Sequence, residues 1–111
     1  MKGVGYSSDI AEKIKEFLRN NAASRLRMEE LCDYVSRSES QVIKIFKQAY
    51  GITPYAYFLN KKMKLAQDML RNTNLSVKQI AGNLSFTDEY YFSNVFKKKI
   101  GVSPAKFRKG Q

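Results

Sequence analysis

The side chains of this sequence best suited to chemistry are those that recur on the outward face of two related segments, around residues 40–47 and 90–97. At about 100° per residue, the face opposite each apolar stripe carries Ser40, Lys44 and Lys47, flanked by Ile43, and Tyr90, Asn94 and Lys97, flanked by Ser93. Lysine can donate to guanine, asparagine can pair bidentately with adenine, and isoleucine can contact a thymine methyl group. These residue types suit the major groove of duplex DNA.

Neighbouring polar residues fit less specific contacts. Glu89 can accept from cytosine N4, although an acid in the first turn of a helix also favours the helix dipole. The residues expected to contact the DNA backbone are Ser38, Lys47, Lys61, Ser76, Thr87, Lys97 and Lys98. Phosphate contacts orient a protein without specifying sequence. Two alternatives stay open: the lysines of 97–99 form a solvated face, and Tyr90 and Tyr91 pack against a neighbouring helix.

Other kinds of site find little support in the sequence. There are no histidines, no glycine-rich phosphate loop and no cluster of metal ligands, so we expect no catalytic residue, no metal and no cofactor. The single cysteine, Cys32, falls in an apolar period, which favours a reduced core thiol and a cytoplasmic protein. No apolar run reaches the roughly 20 residues of a membrane span.

The charge indicates a polyanionic partner. The sequence has 20 Lys and Arg against 10 Asp and Glu in 111 residues, a net charge of +10. Residues 51–111 contain 11 basic and 3 acidic side chains, whereas residues 1–50 contain 9 and 7. The second half is therefore expected to dominate non-specific binding.

An internal repeat organises the elements that position these residues. Val95-Phe96-Lys97 and Gly101-Val102-Ser103-Pro104 correspond to Ile45-Phe46-Lys47 and Gly51-Ile52-Thr53-Pro54, fifty positions earlier. Ile80-Ala81 corresponds to Leu31-Cys32, forty-nine positions earlier, so the later copy has one extra residue in its central turn. Two copies are too few for a solenoid, and the pattern predicts one supersecondary unit used twice.

Apolar spacing and capping signals predict about seven helices and no strand, which makes the fold class all-α. Each pair of helices joined by a short turn is typical of a homeodomain-like helix-turn-helix. The first predicted helix begins at the caps Ser7–Asp9 and ends at Asn20, and the second is Met28–Val35. The third lies between the cap Ser38 and Gly51, and the fourth runs from Pro54 to Arg71 or Asn72. The last three are Val77–Asn83, a helix from the cap Thr87 or Asp88 to Gly101, and 104–109.

The domain organisation follows from these helices. We expect a flexible tail or linker remnant at 1–7, a first lobe at 8–52, a connecting helix at 53–72, a second lobe at 73–109 and a short tail at 110–111. The apolar residues that each helix is expected to bury are Ile10, Ile14, Phe17 and Leu18; Met28, Leu31, Cys32 and Val35; Val42, Ile45, Phe46 and Ala49; Phe58, Leu65, Ala66 and Met69; Phe92, Val95 and Phe96; and Phe107.

With the repeat and the connecting helix in place, the chain resembles the DNA-binding domain of AraC/XylS transcription regulators over roughly Ser8 to Lys109. The resemblance is carried by Ile80-Ala81, Phe86, Tyr91-Phe92-Ser93, Val95-Phe96-Lys97-Lys98, Gly101-Val102-Ser103-Pro104 and Phe107-Arg108. It implies two helix-turn-helix lobes bridged by a long helix, with the second helix of each lobe in successive major grooves. The base-contacting positions that it implies are Ser40, Ile43, Lys44, Glu89, Tyr90, Ser93 and Asn94.

Four residues depart from the family pattern. Ser85 stands where the family usually has glycine, Cys32 where it has alanine, Lys62 where it has arginine, and Arg27 where a serine-like cap is usual. Arginine and lysine are not interchangeable in bidentate contacts. A lysine at position 62 therefore puts in doubt the bidentate contact that an arginine would make there. Lys62 is alternatively expected to bridge the two lobes.

The leading hypothesis is a sequence-specific duplex-DNA binder that regulates transcription, with RNA polymerase and a sensory or receiver domain as further expected partners. A connecting helix of about 27 Å suits major grooves about 34 Å apart. The alternative is a basic module that binds RNA or DNA by charge alone. An enzyme and a protein-interaction bundle are less favoured.

Overall fold

The computed structural model describes the backbone of residues 2–110 and the side chains of residues 9–110. All regular secondary structure within that range is helical, which confirms the all-α class. None of the described helices is long and apolar enough to cross a membrane. The helices are α1 (Lys2–Asn20), α2 (Met28–Val35), α3 (Glu39–Tyr50), α4 (Pro54–Asn72), α5 (Val77–Asn83), α6 (Glu89–Ile100) and α7 (Pro104–Gly110).

Side-chain caps define where the helices of each pair begin. Ser38 Oγ accepts a hydrogen bond from the backbone N–H of Gln41 at 3.2 Å, and Gln41 Oε1 accepts one from the N–H of Ser38 at 3.0 Å. The same reciprocal pair forms between Ser76 and Gln79 at the start of α5. The cap of α6 is Asp88, whose carboxylate accepts from the N–H of Tyr91 at 2.8 Å. Thr87, the other predicted cap, lies one residue outside.

Glycine ends α3 and α6 as the repeat predicts. Gly51 and Gly101 have φ values of 82° and 102°, a left-handed conformation in which a side chain is strained. The N–H of each glycine donates at 2.8 Å to the carbonyl of the lysine four residues earlier, Lys47 or Lys97. Both helices are therefore terminated by the same local geometry.

The start of α1 differs from the sequence prediction. The helix begins at Lys2, whereas the expected caps lie at Ser7–Asp9. Each residue added to an existing helix forms one more hydrogen bond, so extension is possible even through the weak helix formers Gly3 and Gly5. The side chains of residues 1–8 lie outside the described residues. The expectation of a flexible tail at 1–7 stays a prediction. Gly110 closes α7, and Gln111 lies outside the described residues.

The chain divides into two compact units. The first contains the residues up to Ala22 together with Leu26–Leu59, and the second contains Ala23–Arg25 together with the residues from Asn60 onwards. The division falls inside α4, and the three residues from the α1–α2 loop group with the second unit although the sequence assigns them to the first lobe.

The core of the first unit consists of apolar side chains at helical spacing, which are Ile10, Ile14, Leu18, Leu31, Val35, Val42, Phe46 and Phe58. Phe17, Met28, Cys32 and Ile45, which the sequence also predicts to be buried, are only half-buried against this core. Ala49 is exposed, contrary to the sequence prediction. It lies in the last turn of α3, where the helix ends before an apolar neighbour covers it.

The core of the second unit contains several aromatic rings. A chain of rings runs from Phe86 through Phe92 and Phe96 to Phe107, with successive ring centroids 5.1, 5.8 and 5.6 Å apart. The buried apolar side chains around it are Met63, Ala66, Leu70, Ile80, Ala81 and Leu84. The sequence missed Met63 and Leu70, and Leu65 and Met69 are only half-buried. Because α4 contributes to two cores, one apolar stripe does not describe it.

Two serines adopt the left-handed conformation normally taken by glycine. Ser36 has φ 55° and Ser85 has φ 65°, and both occupy the same place in the repeat, forty-nine residues apart. Ser85 Oγ donates to the carbonyl of Ala23 at 2.8 Å. Ser36 makes no side-chain hydrogen bond to any residue in 9–110. The two positions therefore share a strained backbone but differ in side-chain compensation.

We predict that Ser36→Gly raises the free energy of unfolding by about 0.5–1 kcal/mol, because glycine removes left-handed strain at small entropic cost. Ser85→Gly should gain less or lose stability, because it also removes the hydrogen bond to Ala23. Urea unfolding of both variants and of the parent measures the difference. Equal gains at the two positions would mean that the Ser85 hydrogen bond contributes nothing.

Candidate nucleic-acid interface

The two helices predicted to read bases, α3 and α6, present the same pattern of exposure. Each has 12 residues. From residues 41–50 to residues 91–100 every position falls in the same burial class. Val42 and Phe46 in α3, like Phe92 and Phe96 in α6, have no exposed surface. Since the buried stripes coincide, the opposite faces of the two helices are presented in the same way.

The predicted base-contacting residues of α3 lie on one accessible face. Ser40 and Lys44 are exposed, and Ile43 is half-buried beside them. Ser40 Oγ lies 3.4 Å from Ser38 Oγ, close to the N-terminus of the helix. Within residues 9–110 neither Lys44 nor Lys47 forms an ion pair. Their ammonium groups are therefore available to base edges or phosphates.

In α6 the two adjacent tyrosines differ in exposure. Tyr90 is 76% exposed, so most of its ring is accessible, whereas Tyr91 is 49% exposed and its ring centroid lies 5.8 Å from that of Phe86. Packing is therefore the role of Tyr91 and not of Tyr90. Asn94 is exposed, and Ser93 and Glu89 are half-buried. The accessible face of α6 is thus Glu89, Tyr90, Ser93 and Asn94, as the sequence predicts.

The candidate backbone contacts differ in their exposure. Lys47, Lys97 and Lys98 are exposed in the last turns of α3 and α6. Ser76 and Thr87 are exposed as well, and the Ser38 hydroxyl lies within hydrogen-bond distance of Gln41 Oε1 in its own capping box. Lys61 on α4 is half-buried, unlike Lys47, Lys97 and Lys98.

Sequence reasoning missed one cation. Lys78 is exposed near the start of α5 and lines an open hollow of about 400 Å³, which is bordered also by Thr87, Glu89 and Tyr90. Its signal was its place two residues after the Ser76 cap, where the N-terminus of a helix already favours anions. The start of α5 therefore adds a positive charge next to the start of α6.

Lys62, in contrast, points into the second unit. It is 5% exposed, and its Nζ donates to the carbonyls of Ser24 at 2.6 Å and Leu84 at 2.7 Å. Both acceptors belong to that unit. Burial lowers the pKa of Lys62 from 10.5 to about 8. It is still largely protonated at neutral pH, but it is not available for phosphate.

Comparison with known proteins identifies the family. The family model described as "Helix-turn-helix domain" matches residues 31–110. The chain is 33% identical over 97 residues to the Msm operon regulatory protein of Streptococcus mutans, covering 87% of this chain and 35% of that protein. The chain belongs to the AraC/XylS family of helix-turn-helix transcription regulators. It spans about a third of the length of the curated relatives that it matches.

Solved structures give the same fold. The C-terminal domain of AraT, a response regulator from Geobacillus stearothermophilus, is 25% identical with a TM-score of 0.87, over 92% of this chain and 85% of that one. The DNA-binding domain of AdpA, solved in complex with a target DNA, is 20% identical with a TM-score of 0.82, over 90% of each chain. The second likeness is one of fold.

The geometry explains how this AraC/XylS domain accommodates its departures from the family pattern. Glycine is usual at position 85 because φ there is positive, and Ser85 is held by its bond to Ala23. Arg27 precedes α2 without a side-chain cap, and its guanidinium lies 3.9 Å from Glu30. Burial raises the pKa of the Cys32 thiol, and the negative charges of Glu39 and Asp33 raise it further, so the thiolate is disfavoured. Lys62 donates to two separate carbonyls, a task for which two donors suffice.

We predict that the stability of the domain rises with pH through the titration of Lys62. The folded-state pKa is about 8, and the unfolded chain binds the proton more tightly, so the folded state is penalised below pH 8. Between pH 8 and about 10.5 this penalty should disappear.

The measurement is urea unfolding at several pH values for the parent, Lys62→Met and Lys64→Met. Lys64 is exposed and serves as a charge-matched control. Relative to Lys62→Met, the parent and the control should both gain stability as the pH rises. Parallel curves for all three proteins would show that burial of Lys62 does not disfavour its charge.

Proposed function

We propose that this domain reads a two-part duplex-DNA site, with α3 and α6 each entering a major groove on successive turns. The observation that carries the proposal is the duplicated face: two helices of equal length, each with a buried stripe at the same positions and each with an exposed lysine, Lys47 or Lys97, in its last turn. A helix used only as a solvated surface has no need of this repetition.

The depth of each side chain supports a division of roles. Ile43 and Ser93 are half-buried, so they reach a base edge only if the helix lies deep in the groove. Lys44 and Asn94 are exposed on the same faces and can donate to base acceptors. We assign base contacts to Ser40, Ile43, Lys44, Glu89, Tyr90, Ser93 and Asn94, and backbone contacts to Ser38, Lys47, Lys61, Ser76, Lys78, Thr87, Lys97 and Lys98.

The charge supports a second candidate, in which the domain holds any nucleic acid by its phosphates. The net charge of +10 and the exposed lysines of α6 favour such binding. Non-specific attraction also accompanies specific recognition, so charge alone does not separate the two. Selectivity among sequences does.

The wider setting of the domain completes the proposal. We infer that it acts in the bacterial cytoplasm, where the chromosome lies, and that it acts by binding and not by catalysis. The chain corresponds to about a third of its curated relatives, which leaves room in the full-length protein for a sensory or receiver domain. RNA polymerase is the proposed protein partner when the domain is bound beside a promoter.

The test of the proposal is selection from a random duplex pool at about 0.15 M salt, followed by sequencing of the bound fraction. We expect two short enriched blocks whose centres are about one helical turn apart. Binding that enriches no sequence and disappears steeply as salt rises would replace specific reading with attraction by charge.

We predict that Asn94→Ala weakens binding to the preferred site by about 1–3 kcal/mol and relaxes the preference at one base position, because a bidentate contact is lost. Titration against the selected site and its single-base variants measures both effects. Asn74→Ala removes an exposed amide from the α4–α5 loop and should leave binding unchanged. An equal loss on every sequence would assign Asn94 to the phosphate contacts instead.

We predict that Lys98→Ala weakens binding to all duplexes alike and reduces the slope of log K against log salt by about one unit. The reason is the loss of one phosphate contact and its released counterion. Lys13→Ala, which removes an equal charge from the exposed side of α1, is the control. A slope shared by both variants and the parent would leave Lys98 as a solvated side chain.

A further inference from the structure

The two helix-turn-helix turns are held by cations from different places. In the first copy Arg37, within the turn, donates through Nη1 to the carbonyls of Val35 at 3.5 Å and Ser36 at 3.0 Å. In the second copy the repeat places Phe86 at the corresponding position, which removes the local cation. The carbonyl of Leu84, equivalent to that of Val35, accepts instead from Lys62 of α4. The second turn therefore depends on a distant residue.

The same cation also ties a further segment to this turn. Lys62 Nζ donates to the carbonyl of Ser24, and Ser85 Oγ donates to the carbonyl of Ala23. Lys62 Nζ lies 5.7 Å from the ring centroid of Phe86, close enough for a cation–π attraction. All of these groups belong to the second unit, which explains why Ala23–Arg25 groups with it.

We propose that Lys62 and Ser85 are positioning residues for DNA reading by α6, with Ala23–Arg25 as a clasp on the turn that precedes that helix. The proposal rests on the function proposed above. It assigns part of the specificity of the second half-site to residues that contact no base.

The short distance along the chain makes the coupling direct. Ser85, in its left-handed conformation, stands four residues before Glu89, the first residue of α6. The N–H of Ser85 donates to the carbonyl of Gly82 and that of Phe86 to the carbonyl of Ala81, so the turn is continuous with α5. Base-specific hydrogen bonds tolerate displacements of only about 0.5 Å. Release of Leu84 and Ser85 would therefore displace the α6 face as a whole.

The experiment compares Lys62→Met, Lys62→Arg, Ser85→Ala and Lys64→Met in the duplex selection and in titrations of single-base variants of the selected site. Asn94→Ala and Lys44→Ala first establish which enriched block α6 reads and which α3 reads. Lys64→Met removes the same charge from the exposed face of α4, so any loss that it shares with Lys62→Met belongs to charge alone.

We expect Lys62→Met to reduce discrimination in the α6 block by about tenfold, the scale of one base-specific contact, while the α3 block changes less than about twofold. Ser85→Ala, which removes one hydrogen bond, should reduce discrimination in the α6 block by about threefold. Lys62→Arg should restore it, because a guanidinium has enough donors for both carbonyls. Equal losses in both blocks, or no loss in either, would overturn the proposal.

Amide hydrogen exchange in the absence of DNA provides a second readout. Lys62→Met should accelerate exchange at the N–H groups of Ser85 and Phe86 more than at those of Ser36 and Arg37. Unchanged exchange at the second turn would overturn the clasp whatever the DNA result. If the parent selects no sequence, the proposed function fails, and the exchange comparison still decides whether the clasp exists.

Discussion

Burial of a two-residue aromatic or apolar stripe on α3 and on α6 is the constraint on which the rest of this domain depends. Val42 with Phe46, and Phe92 with Phe96, are four residues apart and completely buried. Each such side chain contributes about 1.5–3 kcal/mol when removed from water. Because these stripes face the cores, the opposite side of each helix faces solvent, where its polar residues are available to a ligand.

The two copies of the unit show how one geometry can be maintained by different means. Both turns contain a left-handed serine, and both place a cation on the carbonyls at the end of the first helix. The first copy supplies that cation locally from Arg37. The second copy has an aromatic residue there, which extends the ring chain of its core, and it recruits Lys62 from α4.

Much of the fold was accessible from local signals. Capping boxes at Ser38 and Ser76, C-terminal glycines at 51 and 101, and prolines at 54 and 104 act within one turn of the chain, so α2 to α7 begin and end within a residue or two of the prediction. The exposed faces of α3 and α6 followed from the same periodicity. The periodicity did not predict the burial of Met63 and Leu70, because α4 contributes to two cores. It also did not predict the exposure of Ala49, because the end of a helix has fewer neighbours.

The sequence by itself determined the helices, the repeat, the basic charge and the faces that α3 and α6 present, because each depends on neighbours within about four residues or on composition. Tertiary structure alone decided the roles of Lys62 and of the α1–α2 loop. The sequence offers a bridge between the lobes as one role for Lys62, but it does not identify the acceptors, Ser24 and Leu84, which lie 38 and 22 residues away. Hydrogen bonds over such separations leave no period in the sequence, so only the folded chain reveals them.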